Sequence, residues 1–196
     1  MKTFKKTIEQ NKLVIRYDDN AESPREWSNL GYFITIDSRY NSPDDQGGTI
    51  FNIVKATKEE AINQKDHIRM IKQLLKDEGE KILAIYPIKK YEHSNISYRL
   101  GNLISGFDYS NSGFYIVTEK KAKEIRAKKE DFQEIIKNEL EAYNKWVNGE
   151  VYRFTLYDDN GNFEDDCGGF YDIENIRGNL PDEWKNENLE DYLIFN

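Results

Sequence analysis

The sequence predicts a β-strand at Gly31-Tyr32-Phe33-Ile34-Thr35-Ile36-Asp37, where aromatic and β-branched residues follow one another. A similar run, Lys12-Leu13-Val14-Ile15-Arg16-Tyr17, precedes it, and a polar loop that contains Pro24 and Trp27 separates the two. Strands thus follow strands along the chain instead of alternating strictly with helices. This order favours an α+β fold in which two principal helices pack on a mainly antiparallel sheet.

Two principal helices are expected. The first begins at Thr57, because Thr57-Lys58-Glu59-Glu60 fits a capping box, and it ends at Gly79. The second covers residues 130–147, where apolar side chains recur at helical spacing, and Asn148-Gly149 ends it. Between them, Thr118 is expected to cap a short basic helix, and we interpret its cations as a solvated face.

The remaining strands are short. Residues 81–88 predict a strand near a sheet edge, because Pro87 cannot donate a hydrogen bond to a neighbouring strand. Residues 91–112 are interpreted as irregular and glycine-rich, and a strand resumes at residues 113–117. A β-hairpin is predicted around Asp159-Asn160-Gly161-Asn162, since Asn-Gly is typical of tight hairpin turns.

Composition restricts the class of protein. The 196 residues are 38% apolar and 33% charged, and no repeat or linker interrupts them, so residues 1–196 are interpreted as a single domain. The apolar runs are far shorter than the roughly 20 residues that a membrane-spanning helix needs. The first residues also lack the apolar stretch of a signal peptide. We therefore expect a cytoplasmic protein without a membrane partner.

Few residues are suited to redox or metal chemistry. Cys167 is the only cysteine, and His67 and His93 are the only histidines. An internal disulfide is thus excluded, and thiolate or histidine zinc sites lack ligands. The sequence also has no Walker-type loop, dinucleotide fingerprint or nucleophile elbow. We expect no cofactor, no metal bound by cysteine or histidine and no catalytic residue. The sequence therefore favours a protein that is not an enzyme over an enzyme, and leaves both open.

The negative charge is concentrated near the C-terminal end. Residues 1–150 contain 25 basic and 24 acidic side chains, whereas residues 151–196 contain 3 basic and 12 acidic ones. The last quarter therefore accounts for the whole acidic excess behind the net charge of −8. Such a segment repels nucleic acid and attracts cationic surfaces. A well-solvated face is the alternative interpretation.

The loop after the first strand is the most unusual stretch. It holds a candidate ligand set made of Asp18, Asp19, Glu22, Arg25 and Trp27. Carboxylate oxygens are the ligands that hard cations such as Mg²⁺ prefer. The alternative is structural, in which the acids cap turns, Arg25 pairs with a neighbouring carboxylate and Trp27 fills the core.

Several short segments form a pattern that spans most of the chain. Its most specific block is Ala21-Glu22-Ser23-Pro24-Arg25-Glu26-Trp27. The other segments are Tyr17-Asp18-Asp19, Asn29-Leu30-Gly31, Arg39-Tyr40-Asn41, His93-Ser94, Ser112-Gly113-Phe114-Tyr115-Ile116-Val117, Gly149-Glu150-Val151-Tyr152, Asp166-Cys167 and Gly169-Phe170-Tyr171. This pattern resembles a family of uncharacterised proteins encoded by phages and other mobile elements. The chain departs from it at Gly168, where a tryptophan often precedes Gly-Phe-Tyr. The resemblance implies a mobile-element context and supplies no catalytic residues.

The first functional hypothesis is a phage-type interaction protein that inhibits a host nucleic-acid-directed defence, of the anti-CRISPR or antirestriction type. Its partner would be a host defence protein with a basic groove (a CRISPR effector or a restriction enzyme). An acidic surface that mimics nucleic acid, without binding nucleic acid directly, would occupy that groove. The residues expected to bind the partner are Asp158, Asp159, Glu164, Asp165, Asp166, Asp172, Glu174 and Trp184.

The alternative hypothesis is a carboxylate–metal-dependent hydrolase of phosphate esters. Asp18, Asp19, Glu22 and Asp165 would hold the metal, and Arg25 would bind the phosphate. This hypothesis requires two segments that are distant in sequence to converge.

Overall fold

The architecture is given by a computed structural model that describes residues 13–36, 41–44, 47–101 and 108–194. The strands are β1 (Leu13–Tyr17), β2 (Tyr32–Thr35), β3 (Ile82–Glu92), β4 (Ile96–Leu100), β5 (Tyr109–Thr118), β6 (Tyr152–Tyr157) and β7 (Phe163–Phe170). The α-helices are α1 (Thr49–Glu60), α2 (Gln64–Asp77), α3 (Glu119–Glu124) and α4 (Phe132–Val147). Helices combined with antiparallel sheets confirm the α+β class.

The chain folds into two compact units. The terminal unit contains Met1–Ser23 and Lys145–Asn196, and the central unit contains Pro24–Asn144. One boundary lies in the loop between β1 and β2, after Ser23, and the other falls inside α4. That the two units form one domain stays a prediction of the sequence. No helix within the described residues has both the length and the apolar character needed to cross a bilayer.

The sheet of the central unit has the strand order β2-β5-β3-β4, and every neighbouring pair is antiparallel. Successive side chains of β2 point to opposite faces. Ile34 belongs to a buried cluster with Val54 of α1 and Ile71 of α2. Phe33 packs edge-to-face against Tyr143 of α4, with ring centroids 5.4 Å apart. Because β2 is covered on both faces, its sequence is a continuous apolar run and not an alternating one.

The first helical segment differs from the sequence prediction. The chain leaves helical geometry after Glu60, so Thr57 lies inside α1 and does not begin a helix. The hydroxyl of Thr57 donates to the carbonyl of Ile53 at 2.7 Å. The residue that caps α2 is Asn63, whose side chain accepts the N–H of Asp66. The capping-box pattern was misleading because a threonine inside a helix can satisfy its hydroxyl on the preceding turn.

The other helix ends agree with the sequence prediction. Gly79 and Gly149 follow α2 and α4 with φ angles of 85° and 70°, as expected for glycines that end helices. Thr118 caps α3, because its side chain accepts the N–H of Lys121. α4 itself begins at Phe132, after a short 3-10 turn.

Two strand predictions are wrong. β3 is an internal strand between β5 and β4, although Pro87 predicts an edge. The carbonyl of Pro87 accepts the N–H of Gly101 at 3.0 Å, just beyond the last residue of β4. Proline has no N–H to donate, and Pro87 lies at the end of the pairing between β3 and β4, next to the Ile88–Leu100 pair. Residues 91–112 contain the end of β3, all of β4 and the start of β5, while residues 102–107 lie outside the described part.

The terminal unit contains an antiparallel sheet with the order β1-β6-β7. The predicted hairpin turn joins β6 to β7, and Gly161 in it has a φ of 81°. The C-terminal segment covers the edge of β1, where the N–H of Ile194 donates to the carbonyl of Ile15 at 2.8 Å. Short 3-10 turns after β7 close the core over one face. The buried residues of this core are Leu13, Ile15, Phe154, Leu156, Ile176, Leu180 and Leu189.

His67 gives the central unit a pH-dependent stability. Its ring packs edge-to-face on Phe114 at 4.8 Å, and its Nε2 lies 3.0 Å from the carbonyl oxygen of Val54. Burial lowers the pKa of His67, and the charge of Lys58 lowers it further. The folded protein therefore takes up this proton less readily than the unfolded chain does. We expect the free energy of unfolding to fall as the pH drops below about 6.5, the value for an unperturbed histidine.

Urea denaturation between pH of about 5 and 8 measures this slope. His67→Gln should flatten the slope between about pH 5 and 6.5, because the titrating group is gone. His93→Gln is the control, since His93 is exposed. An unchanged slope in His67→Gln would show that another group causes the loss of stability.

Candidate interaction surface

The loop with the candidate ligand set is divided between the two units. Asp18, Asp19 and Glu22 belong to the terminal unit, whereas Arg25 and Trp27 belong to the central unit. Each group therefore has its own surroundings, and the set is described in two parts.

Asp18 fastens β1 to β7 within the terminal unit. Its side chain is 8% exposed, and Oδ1 lies 3.6 Å from Nη1 of Arg153. Oδ2 accepts the N–H of Gly169 at 2.9 Å, and Oδ1 accepts the N–H of Asn20 at 3.2 Å. Both carboxylate oxygens are thus occupied by donors of the protein. This arrangement supports the structural interpretation of Asp18.

The same carboxylate explains the glycine that precedes Gly169. A Cβ atom on Gly168 would lie 2.2 Å from Oδ2 of Asp18, which is far inside contact distance. A side chain at this position would therefore displace the Asp18 carboxylate, so the close approach of Asp18 depends on glycine.

Arg25 lies at the centre of a buried polar network in the central unit. Its side chain is 3% exposed, and each of its five N–H bonds has an acceptor. Nε and Nη2 donate to the two oxygens of Asp44 at 2.9 and 2.5 Å. Nη1 donates to Asn29 and Glu139 at 2.9 and 3.0 Å. Nη2 also donates to the carbonyl of Gly31 at 2.9 Å.

Tyr115 completes this network. Its hydroxyl donates to Glu139 and accepts the N–H of Gly31 at 3.0 Å. Burial raises the pKa of Tyr115. Burial acts to lower the pKa of Arg25, but the hydrogen bond and ion pair with Asp44 outweigh it and the pKa is raised. The guanidinium stays charged with every donor occupied, so Arg25 has no N–H left for a phosphate ester.

The remaining candidate residues also give no support to the hydrolase alternative. The described residues contain no group of three or more His, Cys, Asp or Glu side chains placed to hold a metal ion. Asp19 and Glu22 are exposed. Trp27 is 48% exposed, so it does not fill the core as the structural interpretation expected. Since Asp18 and Arg25 are both bound internally, no observation supports a shared metal and phosphate site.

The acidic residues after the hairpin turn lie on an open strand edge. β7 is the last strand of its sheet, and among the described residues no strand pairs with its outer edge. Every residue from Phe163 to Gly169 is exposed. Among the described residues, Glu164 and Asp165 form no ion pair. The Asp165 side chain accepts the N–H of Asp166 at 2.8 Å. These two carboxylates face solvent without a compensating cation.

Other candidate acids are neutralised by nearby cations. The pairs are Asp166 with Arg153, Asp172 with Lys145 at 3.9 Å, and Glu174 with Arg177 at 2.8 Å. Asp159 is exposed in the hairpin turn. The negative residues therefore do not form the uniformly uncompensated surface that their number in the sequence suggests.

Asp158 and Trp184 have structural partners. Asp158 accepts the backbone N–H groups of Asn160 and Asn162 at 2.8 and 2.7 Å, and hydrogen bonds from Asn162 lower its pKa. Trp184 packs edge-to-face against Tyr192 at 5.3 Å and borders the apolar core of the terminal unit. Its ring is half-buried, because the 3-10 turns near the C-terminus use it to close the core, so less of it is available to a partner than its place among the expected partner-binding residues suggests.

Sequence reasoning missed a second charged surface, on α2. Lys65, Arg69, Lys72 and Lys76 recur at intervals of four, three and four residues. This spacing places them on one helix face. The signal was present in the sequence, but the denser basic run after Thr118 obscured it.

Comparison with protein-family models, with curated proteins and with solved structures gives no match for this chain. The resemblance to proteins of phages and mobile elements therefore stays a prediction.

The Arg25 network predicts a large effect of one conservative substitution. Arg25→Lys should lower the free energy of unfolding by about 3–5 kcal/mol, because one ammonium cannot satisfy the buried oxygens of Asp44 and Glu139. Chemical denaturation measures the change. The control is Arg69→Lys, where the arginine is 79% exposed and pairs with Asp66; there we expect less than about 1 kcal/mol. Equal losses in both variants would contradict the role given to Arg25.

The contact between Gly168 and Asp18 predicts a second effect. Gly168→Ala should destabilise the protein by about 1–3 kcal/mol, because the new methyl group displaces the Asp18 carboxylate from the N–H of Gly169. Thermal or urea denaturation measures it. Gly178→Ala is the matched control, because a Cβ there meets no atom within 4 Å. If both variants are equally stable, the close approach of Asp18 is not a constraint.

Proposed function

We propose that the protein binds a cationic surface of another protein through the outer edge of β7, and that it acts as a phage-type inhibitor. The partner is a host defence protein that holds nucleic acid in a basic groove, of the CRISPR-effector or restriction-enzyme type. The observation that carries the proposal is that every residue from 163 to 169 is exposed, on a strand whose outer edge no other strand pairs with in the described residues. The phage and mobile-element resemblance suggests the defence context.

The distribution of charge supports an electrostatic role for the terminal unit. Its two segments contain 9 basic and 17 acidic residues, whereas the central unit contains 19 of each. The net charge of −8 thus belongs entirely to the terminal unit. A field of one sign accelerates encounter with a surface of the opposite sign and disfavours partners of like charge.

An open edge offers two kinds of contact at once. Backbone N–H and C=O groups on the outer side of β7 can pair with an extended segment of the partner. Asp165 and Asp166 are successive residues of a strand, so their side chains project to opposite faces. Asp166 is paired with Arg153, so the carboxylates left for a cationic partner are Glu164 and Asp165, which also project to opposite faces of the strand. The acidic surface is therefore narrower than the number of carboxylates in the last quarter suggests.

Charge reversal on β7 tests the proposal. Glu164→Lys with Asp165→Lys should weaken binding to the partner by about tenfold or more, because two favourable contacts become repulsive. Purified CRISPR effectors and restriction enzymes provide the panel, and inhibition of DNA cleavage together with biolayer interferometry provides the measurement. Wild-type affinity should fall steeply as salt rises from about 50 to 200 mM.

The matched control is Glu59→Lys with Glu60→Lys at the end of α1, where both residues are exposed. It makes the same change in net charge on a different surface. Equal weakening by both double variants would show that net charge alone matters. If no member of the panel is bound or inhibited by the wild-type protein, the defence-inhibitor proposal fails.

A further inference from the structure

The exposed face of α2 carries a straight row of cations. Lys65, Arg69, Lys72 and Lys76 span twelve residues, and the eleven steps between the first and the last cover about 16 Å along the helix axis. All four are exposed. Together with Ile68 and Gln73 they line a shallow groove of about 450 Å³. We name these four residues the α2 row.

Most cations of the α2 row lack a carboxylate partner. Arg69 donates to Asp66. Within the described residues Lys65, Lys72 and Lys76 form no ion pair. Their charges therefore repel one another with little compensation, which costs stability unless an anion is bound.

The basic run around α3 shows the opposite arrangement. Glu119 accepts hydrogen bonds from Lys81 and Lys123 at 2.5 and 2.9 Å, and these lower its pKa to about 2. Lys121 lies 3.6 Å from Glu124. The cations of α3 are thus partly consumed by local acids. Lys120, Arg126, Lys128 and Lys129 are also exposed, but they lie on α3 and in the segment that follows it and do not form a row along one helix face.

We propose that the α2 row binds the phosphate backbone of double-stranded DNA without reading its bases. One strand of a duplex has a phosphate about every 3.4 Å of axis, so a row of 16 Å faces about five phosphates. Lysine and arginine contacts to phosphates supply affinity that is independent of sequence. The proposal is independent of the proposed function, because it concerns another element and another ligand.

The surroundings of the row favour a duplex over other anionic partners. The apolar side of α2, with Ile71 and Leu75, is buried in the core of the central unit and cannot enter a lipid bilayer. The row includes no aromatic side chain on which the bases of a single strand would stack. The central unit contains equal numbers of acidic and basic residues, so the row lies in the part of the chain without a net negative charge. The acidic excess that repels nucleic acid belongs to the terminal unit.

Salt dependence gives a quantitative test. Four phosphate contacts predict a slope of log K against log salt of about −3.6, so binding should weaken roughly a hundredfold between about 50 and 200 mM salt. Fluorescence anisotropy with a duplex of about 30 base pairs measures it. Lys72→Gln with Lys76→Gln should reduce the slope to about −1.8. Both positions are exposed, and circular dichroism checks that the variant is folded.

The matched control is Lys128→Gln with Lys129→Gln, which removes two exposed lysines outside α2. It should leave the slope unchanged. The proposal is overturned if the duplex does not bind at about 50 mM salt, or if the control lowers the slope as much as the α2 variant. Tighter binding to single-stranded DNA of the same length, or to anionic phosphatidylserine vesicles, would also overturn it. Glu164→Lys with Asp165→Lys keeps the α2 row, so failure here and failure of the proposed function are distinguishable.

Discussion

The ion pair between Arg25 and Asp44 is the interaction on which the central unit depends. A buried guanidinium is tolerated only when its donors are matched, and here all five are. The acceptors bring together segments that no short-range signal connects. Asp44 also accepts the N–H of Phe33, a residue of β2, at 2.6 Å. Glu139, a residue of α4, accepts the N–H of Leu30 at 2.8 Å. One cation thus holds the entry to β2 against α4.

Local signals in the sequence predicted local structure well. Gly79 ends a helix, Gly161 lies in a hairpin turn and Thr118 caps a helix, all as expected. Each of these effects acts within a few residues of the chain. Thr57 and Pro87 misled because their local preferences were overridden: the hydroxyl found an acceptor inside a helix, and the missing N–H fell where pairing with β4 stops. Local rules describe what a residue prefers, whereas packing determines which preference is met.

The candidate site was less predictable because it depends on contacts between distant residues. Arg25 and Glu139 are 114 residues apart, and Asp18 and Gly169 are 151 apart. A sequence shows that acids and arginines are present but not which of them meet. Of the candidate ligand residues in the loop, Asp18 and Arg25 bind partners within the protein, as the structural interpretation expects. Pairing of this kind also reduced the acidic surface, since Asp166 is neutralised by an arginine of the neighbouring strand, β6.

The open edge of β7 is a site where two copies of the protein could pair, and the charged side chains on the edge oppose this. An unpaired strand edge invites pairing with the same edge of a second copy, which leads to aggregation, and natural proteins counter this with charged side chains. Glu164 and Asp165 place negative charge on that edge without compensating cations in the described residues. Two copies would bring like charges together, whereas a cationic segment would bring opposite charges together. The same Coulomb interaction that disfavours pairing with a second copy would favour the cationic partner proposed above.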